Sequence, residues 1–501
     1  MLGSFASLAG ALALFLVASV NAQNPVCGGL VTNGTGTFIV KNYDQFTVLT
    51  IYGLNNNPQS ENYLLDCSGA VEKVGSIALQ AMGLESSVKQ FKVPVQKALV
   101  TGTFTSSYVE LAGAQSNILV LQTPIVSPCL QAKLLNNTIT PFDVNKFEQY
   151  NTVDVGFRED ISISQLKDVW MPMSIEVEPL LRVEYIKAVS LFFGYGARAL
   201  TTYNEIIETY NLIKVDMQGV PEANRRRIGW VKYDFSRNSW QLRNTAFTRG
   251  IIRDAAGIPF PLNGDKVTTD IDISPSDFKI LVSNADIIID QTEFDGRGDY
   301  RTVYSRWLAL AGFTEAAKPR VLENRQVYSI DNTVNKDGVN DYQYRMPSRP
   351  DLLLRDLIAA QYPEYDPEYR SRFLNNNFPN DGGATNNLGP ENCDQDPTAT
   401  NKFKYNSGDI TKAPRNFAFT GLPAPPQPSG GGIYGAGGDS QGGGDNGGGG
   451  SKTTSIIIAV VCVAAVLGAA FAFAFYKWSR RAKEDRFIEL EEEMNNEIPL
   501  N

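Results

Sequence analysis

From Ile456 through Tyr476 the chain carries no charged residue, and Lys477, Arg480, Arg481 and Lys483 follow at once. An uncharged stretch of about 20 residues is what a helix needs to cross the hydrocarbon core of a bilayer. Basic residues at its end stay on the cytosolic side, and Tyr476 and Trp478 suit the headgroup region. The spacing therefore predicts a transmembrane helix over 455–476 with a cytosolic tail over 477–501. A second apolar run, shorter and near the N-terminus, ends in Ala18-Ser19-Val20-Asn21-Ala22, small residues spaced as a signal-peptide cleavage site. Residues 1–22 are read as a signal peptide. The expected protein is a single-pass type I membrane protein, its large domain outside the cell.

Cysteine usage agrees with an oxidising compartment. Of five cysteines, Cys462 lies in the predicted span, and Cys27, Cys67, Cys129 and Cys393 lie outside it. Four cysteines suggest two disulfides, with three connectivities open. Cys67–Cys129 with Cys27–Cys393 is favoured, because the second bond would tie the ends of the ectodomain together. Asn33-Gly34-Thr35 and Asn136-Asn137-Thr138 are glycosylation sequons at Asn33 and Asn136.

Between these ends the composition divides the chain. Residues 371–454 read as an irregular segment running into a Pro-rich and then Gly-rich stalk, sequences that do not build a core. Roughly 350 residues remain to fold, more than the ~250–300 at which single cores stop growing. The hydrophobic pattern alternates. Strands are expected at 97–103, 117–122, 169–173, 228–233, 285–290 and 326–330. Helices are expected at 106–112, 178–193, 197–210, 248–256, 275–283, 300–310 and 352–361. Such alternation predicts α/β lobes with parallel sheets. The fold class expected is two α/β lobes joined by one long linker helix, plus the C-terminal transmembrane helix. The parts are an N-terminal extension over 23–92, a first lobe over 93–177, the linker over 178–194 and a second lobe over 195–370.

The order of several segments carries a resemblance. Val93-Pro94-Val95, Ala98-Leu99-Val100-Thr101-Gly102-Thr103 and Tyr108-Val109-Glu110-Leu111-Ala112-Gly113 stand in the first lobe. Leu180-Leu181-Arg182-Val183-Glu184-Tyr185 then leads to Arg227-Ile228-Gly229-Trp230-Val231, Asp254-Ala255-Ala256-Gly257 and Ala285-Asp286-Ile287-Ile288-Ile289-Asp290. Pro350-Asp351-Leu352-Leu353-Leu354 and Tyr362-Pro363-Glu364 close the series. Over about 90–365 this succession resembles the periplasmic-binding-protein superfamily, in the single-helix-linker class whose bacterial members bind ferric siderophores, haem and cobalamin. It looks most like the membrane-anchored eukaryotic relatives of that class. The resemblance implies a tethered receptor for a small ligand, an iron–siderophore or related complex. A reductase, permease or endocytic partner downstream is left unspecified.

The chain has no histidine, which excludes Ser-His-Asp, Cys-His and His-ligated zinc chemistry. No cofactor and no catalytic set are expected. A net charge of −9 argues against a nucleic-acid partner. Ligands of parallel sheets bind beyond the carboxyl ends of the strands. That rule selects Thr103, Thr105 and Trp170 in the first lobe. In the second it selects Tyr233, Trp240, Arg243, Gln291, Glu293, Tyr342, Tyr344 and Arg345. Trp230 and Trp307 are expected to be core, and Arg297-Gly298-Asp299 a turn. The competing readings are an adhesion or interaction surface without a small ligand and, further off, a glycan hydrolase built on a carboxylate pair.

Overall fold

The computed structural model describes residues 36–395, apart from 44, 53–59, 69–72, 160–166, 174–177, 261–268, 294–299, 315 and 377–385. The signal segment, Cys27, Asn33, Arg297-Gly298-Asp299, the stalk, the predicted span and the tail lie outside the described residues. Among the described residues no helix is long and apolar enough to cross a membrane.

The extension is itself folded. β1 (Phe38–Asn42), β2 (Phe46–Tyr52), β3 (Ser60–Asp66) and β4 (Lys89–Lys92) form one sheet in that order, antiparallel except for the parallel β3–β4 pair. Successive strand side chains face opposite ways, so one sequence feeds two cores. Leu49, Ile51, Tyr63 and Leu65 enter the core of the first lobe. Val48 and Leu64 pack instead with Leu79 and Leu84 around the helix Ser76–Ala81.

The first lobe is a five-stranded sheet built from β5 (Ala98–Val100), β6 (Ile118–Leu121), β7 (Thr140–Pro141), β8 (Val155–Arg158) and β9 (Asp168–Trp170). Its order is β7-β6-β5-β8-β9, parallel throughout. A sheet covered on both faces reads as continuous apolar runs, and β5 is Ala-Leu-Val, buried at each position.

The second lobe is mixed. β10 (Arg227–Asp234), β14 (Ile287–Asp290) and β15 (Val327–Ser329) are parallel at its centre. β11 (Ser239–Leu242) and β17 (Asn375–Asn376) flank them antiparallel, β13 (Ile271–Ile273) pairs antiparallel with β11 at the edge, and the short β12 (Ile258–Pro259) joins β10 in parallel. The parallel sheet expected in this lobe thus forms its centre, with antiparallel pairs added at its edges. Asp234 Oδ1 accepts the Ser236 N–H at 2.9 Å and Asn238 sits at φ 52°, so the chain turns back on itself into β11.

Two helices lie between the sheets. Pro179–Phe193 is buried at nearly every position, and Val183, Ile186, Val189 and Phe192 belong to the first core. Gly194, at φ 71°, ends it. The next helix, Gly196–Gln218, carries a stripe that starts in the first core at Ala199 and Ile206 and finishes in the second at Tyr210, Ile213 and Met217. Both helices therefore reach both cores: the expected linker, 178–194, packs Leu180 on the second core and Val183 to Phe192 in the first, and 196–218 runs from the first into the second.

In the segment after 371, expected to be irregular, the described residues 371–376 and 386–395 include regular elements. β17 edges the second sheet, and β18 (Asn386–Leu388) pairs in parallel with β16 (Thr333–Asn335). The turn Pro390–Gln395 then packs on the helix Pro128–Leu135. There Cys129 bonds Cys393 with Cα atoms 4.5 Å apart, which replaces the favoured pairing. Cys67 is also disulfide-bonded, and to neither of these two. The chain doubles back across both lobes before leaving, which spacing alone does not reveal. Asn136 is exposed just beyond the helix that carries Cys129.

Candidate functional site

At the carboxyl end of the first sheet, β5 runs through Gly102 (φ 97°) into the helix Thr103–Leu111. The φ of 97° at Gly102 is one that L side chains rarely adopt, which favours glycine, and a Cβ there would also meet Glu159 Oε1 at 2.5 Å. Glu159 follows β8, and its Oε1 accepts the Thr105 N–H at 3.0 Å and the Thr105 hydroxyl at 3.1 Å. A carboxylate thus sits at the positive end of a helix. Gln122, after β6, accepts the Gly102 N–H at 2.7 Å. Trp170 donates from Nε1 to the Glu159 carbonyl at 3.2 Å and from its backbone N–H to the Tyr63 hydroxyl at 2.8 Å. Thr105 and Trp170, both buried, are committed to these contacts rather than open to a ligand; Thr103 is half-buried beside them.

Burial pushes the Glu159 carboxyl up to about 7, against the Thr105 and Phe104 bonds that pull it down. Burial pushes Asp290 and Asp356 up to about 6. The unfolded chain has ordinary carboxyls near 4, so the folded chain binds the extra protons between those values. These groups therefore make the fold more stable as pH falls through that window, and their contribution is lost as pH rises through the folded values. Replacing Glu159 by Gln removes its share. The variant should gain on wild type by about 2–3 kcal/mol in unfolding free energy between about pH 5 and pH 8. Urea melts across that range check this; a constant difference would mean that Glu159 titrates normally.

The second lobe divides the remaining candidates. Trp240 stacks on Phe278 with ring centroids 3.8 Å apart and donates to the Leu310 carbonyl at 3.1 Å. Tyr233 packs edge-on against Trp240, and its hydroxyl donates to Asn238. Both belong to a closed core on one face of the sheet, and their assignment as ligand walls is corrected. The hairpin turns β11 so that Trp240 faces the helix Pro275–Asn284. Arg345 is likewise a framework residue. It is fully buried and donates to Asp341 Oδ1 at 2.7 Å, while Arg372 holds Oδ2 of the same carboxylate at 2.6 Å. Tyr344 reaches into the first core and donates to Glu110 at 2.5 Å. Glu293 is exposed and accepts from Gln343 at 2.6 Å, and Gln291 is bonded through its backbone N–H to Val231. Trp230 and Trp307 are buried, as expected.

Tyr342 is walled by aromatics, and Arg243 and Arg182 act on its hydroxyl electrostatically. The Tyr342 ring lies 6.2 Å from Trp230 and 5.9 Å from Phe373. Burial pushes its hydroxyl up to about 12, and the Arg243 and Arg182 guanidiniums pull the other way, which places both charges around it. Arg243 pairs with Asp270, leaving Arg243 Nε and Asp270 Oδ1 buried without a hydrogen-bond partner. Arg182 reaches in from the helix Pro179–Phe193, its guanidinium 3.9 Å from the centre of the Phe247 ring and its Nη1 donating to Met346 Sδ at 3.9 Å. Two arginines, a tyrosine and aromatic walls thus converge where the linking helices, the β11–helix junction and the 341–346 turn come together. Such donors suit an anionic, oxygen-rich ligand. Sequence reasoning missed Arg182. Its signal was an arginine set among Leu180, Leu181 and Val183 in a helix that is mostly apolar.

The lobes touch directly beside this cluster. Ser107 and Ser348 hydroxyls stand 2.5 Å apart, and Asn335 Nδ2 donates to the Ile125 carbonyl at 2.9 Å. Gln131 Nε2 donates to the Leu388 carbonyl at 3.1 Å, next to the Cys129–Cys393 bond.

No protein-family model matches the chain, and no curated protein matches it in sequence. Among solved structures it is similar to several periplasmic solute-binding proteins. A possible iron-binding protein of Staphylococcus epidermidis is 13% identical over 54% of this chain and 99% of its own, with a TM-score of 0.39. A periplasmic heme-binding protein of Pseudomonas aeruginosa is 13% identical over 56% and 97%, TM-score 0.39. A periplasmic vitamin B12-binding protein of Vibrio cholerae is 9% identical over 54% and 97%, TM-score 0.38. The lobed architecture rests on the sheets and the crossing helix described above.

Proposed function

We propose that the chain is a membrane-tethered extracellular receptor that binds a small anionic solute between its lobes, an iron–siderophore or related iron complex. The observation that carries this reading is the placement of Arg182 against Phe247 and Met346, Arg243 against Asp270, and Tyr342 against Trp230 and Phe373, in two α/β lobes that share the helix Gly196–Gln218. Carboxylate- and phenolate-rich iron chelates present planar oxygen groups, which guanidinium forks and aromatic walls recognise. The buried, unpartnered Arg243 Nε is a donor that such a group would satisfy. The uncharged segment 455–476 would anchor the chain, and the ligand would pass to a reductase, permease or endocytic partner.

The test is thermal unfolding of the full-length chain against ferric siderophores, haem, cobalamin and ferric citrate. A ligand that binds only the folded state at about 100 times its Kd stabilises it by ~2.7 kcal/mol, so a match raises Tm by several degrees. In Arg182→Ala/Arg243→Ala the affinity for that compound should fall at least tenfold, each lost charged hydrogen bond contributing about 1.5–3 kcal/mol. A panel without any shift would sink the solute assignment. The pinned lobe contacts would then favour the rival reading, a rigid adhesion surface.

A further inference from the structure

The second lobe holds a pocket of about 350 Å³ at the opposite, amino end of its sheet. It opens where Arg226 leads into β10, Asp286 into β14 and Gln326 into β15, against the last turn of the helix Pro350–Gln361. Its size is at the small end of ligand sites.

The charges around it do not cancel. Asp286 is taken up by Arg227, which donates from Nε and Nη2 at 3.1 Å each and from its backbone N–H at 2.9 Å. Among the described residues, neither Arg226 nor Arg320 has an ion-pair or side-chain hydrogen-bond partner, and both line the cavity. The cavity therefore presents two unclaimed guanidiniums from different elements. The whole chain carries −9, so this is a local feature that no general attraction for anions explains.

A second observation comes from the wall. Gln361 is 1% exposed, and its Nε2 donates to the Ala255 and Leu357 carbonyls at 2.9 and 3.1 Å. Those bonds fix which end of the amide is which, and they leave Oε1 buried with no donor. Buried acceptors are ordinarily satisfied. A ligand hydroxyl entering beside Ala359, Ala360 and Pro363 would supply the missing proton.

We propose that this pocket binds a small hydroxylated organic anion, a carboxylate or a phosphate ester. Arg226 and Arg320 hold the charged group, and Gln361 accepts from the hydroxyl. The site is separate from the lobe junction and does not depend on the receptor reading.

Calorimetric titration of the full-length chain, free of iron, tests it with four probes: malate, succinate, glycerol 3-phosphate and inorganic phosphate. At least one hydroxylated probe should bind with Kd below about 1 mM, several-fold tighter than its counterpart without the hydroxyl. Whether malate or glycerol 3-phosphate wins tells carboxylate from phosphate. In Arg226→Ala/Arg320→Ala binding should weaken about tenfold or more. Arg226→Lys/Arg320→Lys, which keeps the charge but loses the fork, should fall between and guards against simple misfolding. Absence of binding by all four, or equal binding in the alanine variant, overturns the proposal. Equal affinity for malate and succinate together with equal affinity for both phosphates overturns the role of Gln361.

Discussion

Asp356→Ala should lower the unfolding free energy by about 3–5 kcal/mol, among the largest single-side-chain losses in the fold. Asp356 is fully buried on the helix Pro350–Gln361. Its carboxylate accepts the backbone N–H groups of Arg372, Phe373 and Leu374 at 2.9, 2.6 and 2.9 Å, and the Tyr369 hydroxyl at 2.6 Å. One side chain thus satisfies the whole stretch that delivers β17 to the second sheet. Alanine leaves three N–H groups without an acceptor next to Phe373 and Leu374, both core residues. Each buried donor left unmade costs about 1–3 kcal/mol, and partial water entry brings the sum below simple addition. The loss is read from urea melts, with hydrogen exchange at 372–376 showing where protection goes. A change under about 1 kcal/mol would mean that the 372–374 backbone finds other partners with ease.

Removing the bond between Cys129 and Cys393 should cost about 2–5 kcal/mol. The bond closes a sequence separation of 264, so in the chain-entropy account it restricts the unfolded chain strongly. Its second consequence is mechanical. The bond, the Gln131–Leu388 contact and the β16–β18 pair lash the segment 386–395 across both lobes. Cys129→Ser/Cys393→Ser should therefore show lower stability together with faster hydrogen exchange at 386–395. Unchanged exchange there would mean that the strand pairing and the packed turn hold the strap alone.

The sequence was most legible where one element obeys one period. The burial of Trp230 and Trp307 and the helices expected at 275–283 and 352–361, observed at Pro275–Asn284 and Pro350–Gln361, follow from apolar spacing. It was least legible where a residue's partner lies far along the chain. Thr105 reads as a free hydroxyl after a strand, yet Glu159 claims it across the sheet. Arg345 reads as a loop arginine, yet a shared carboxylate encloses it with Arg372. Trp240 reads as half-exposed beside a polar turn, and the hairpin carries it under a helix.

Taken alone, the sequence determined which chemistry is closed to this chain, since a protein without histidine has no imidazole base or ligand. It also determined the α/β alternation, because strand and helix periods are local properties of neighbouring residues. Only the tertiary structure decided how the helices 179–193 and 196–218 share the two cores, that Cys129 pairs with Cys393, and that Arg182 packs on Phe247 and Met346. Those outcomes depend on how separate segments dock. Docking is set by the burial of faces against one another, and neither sequence distance nor local propensity encodes it.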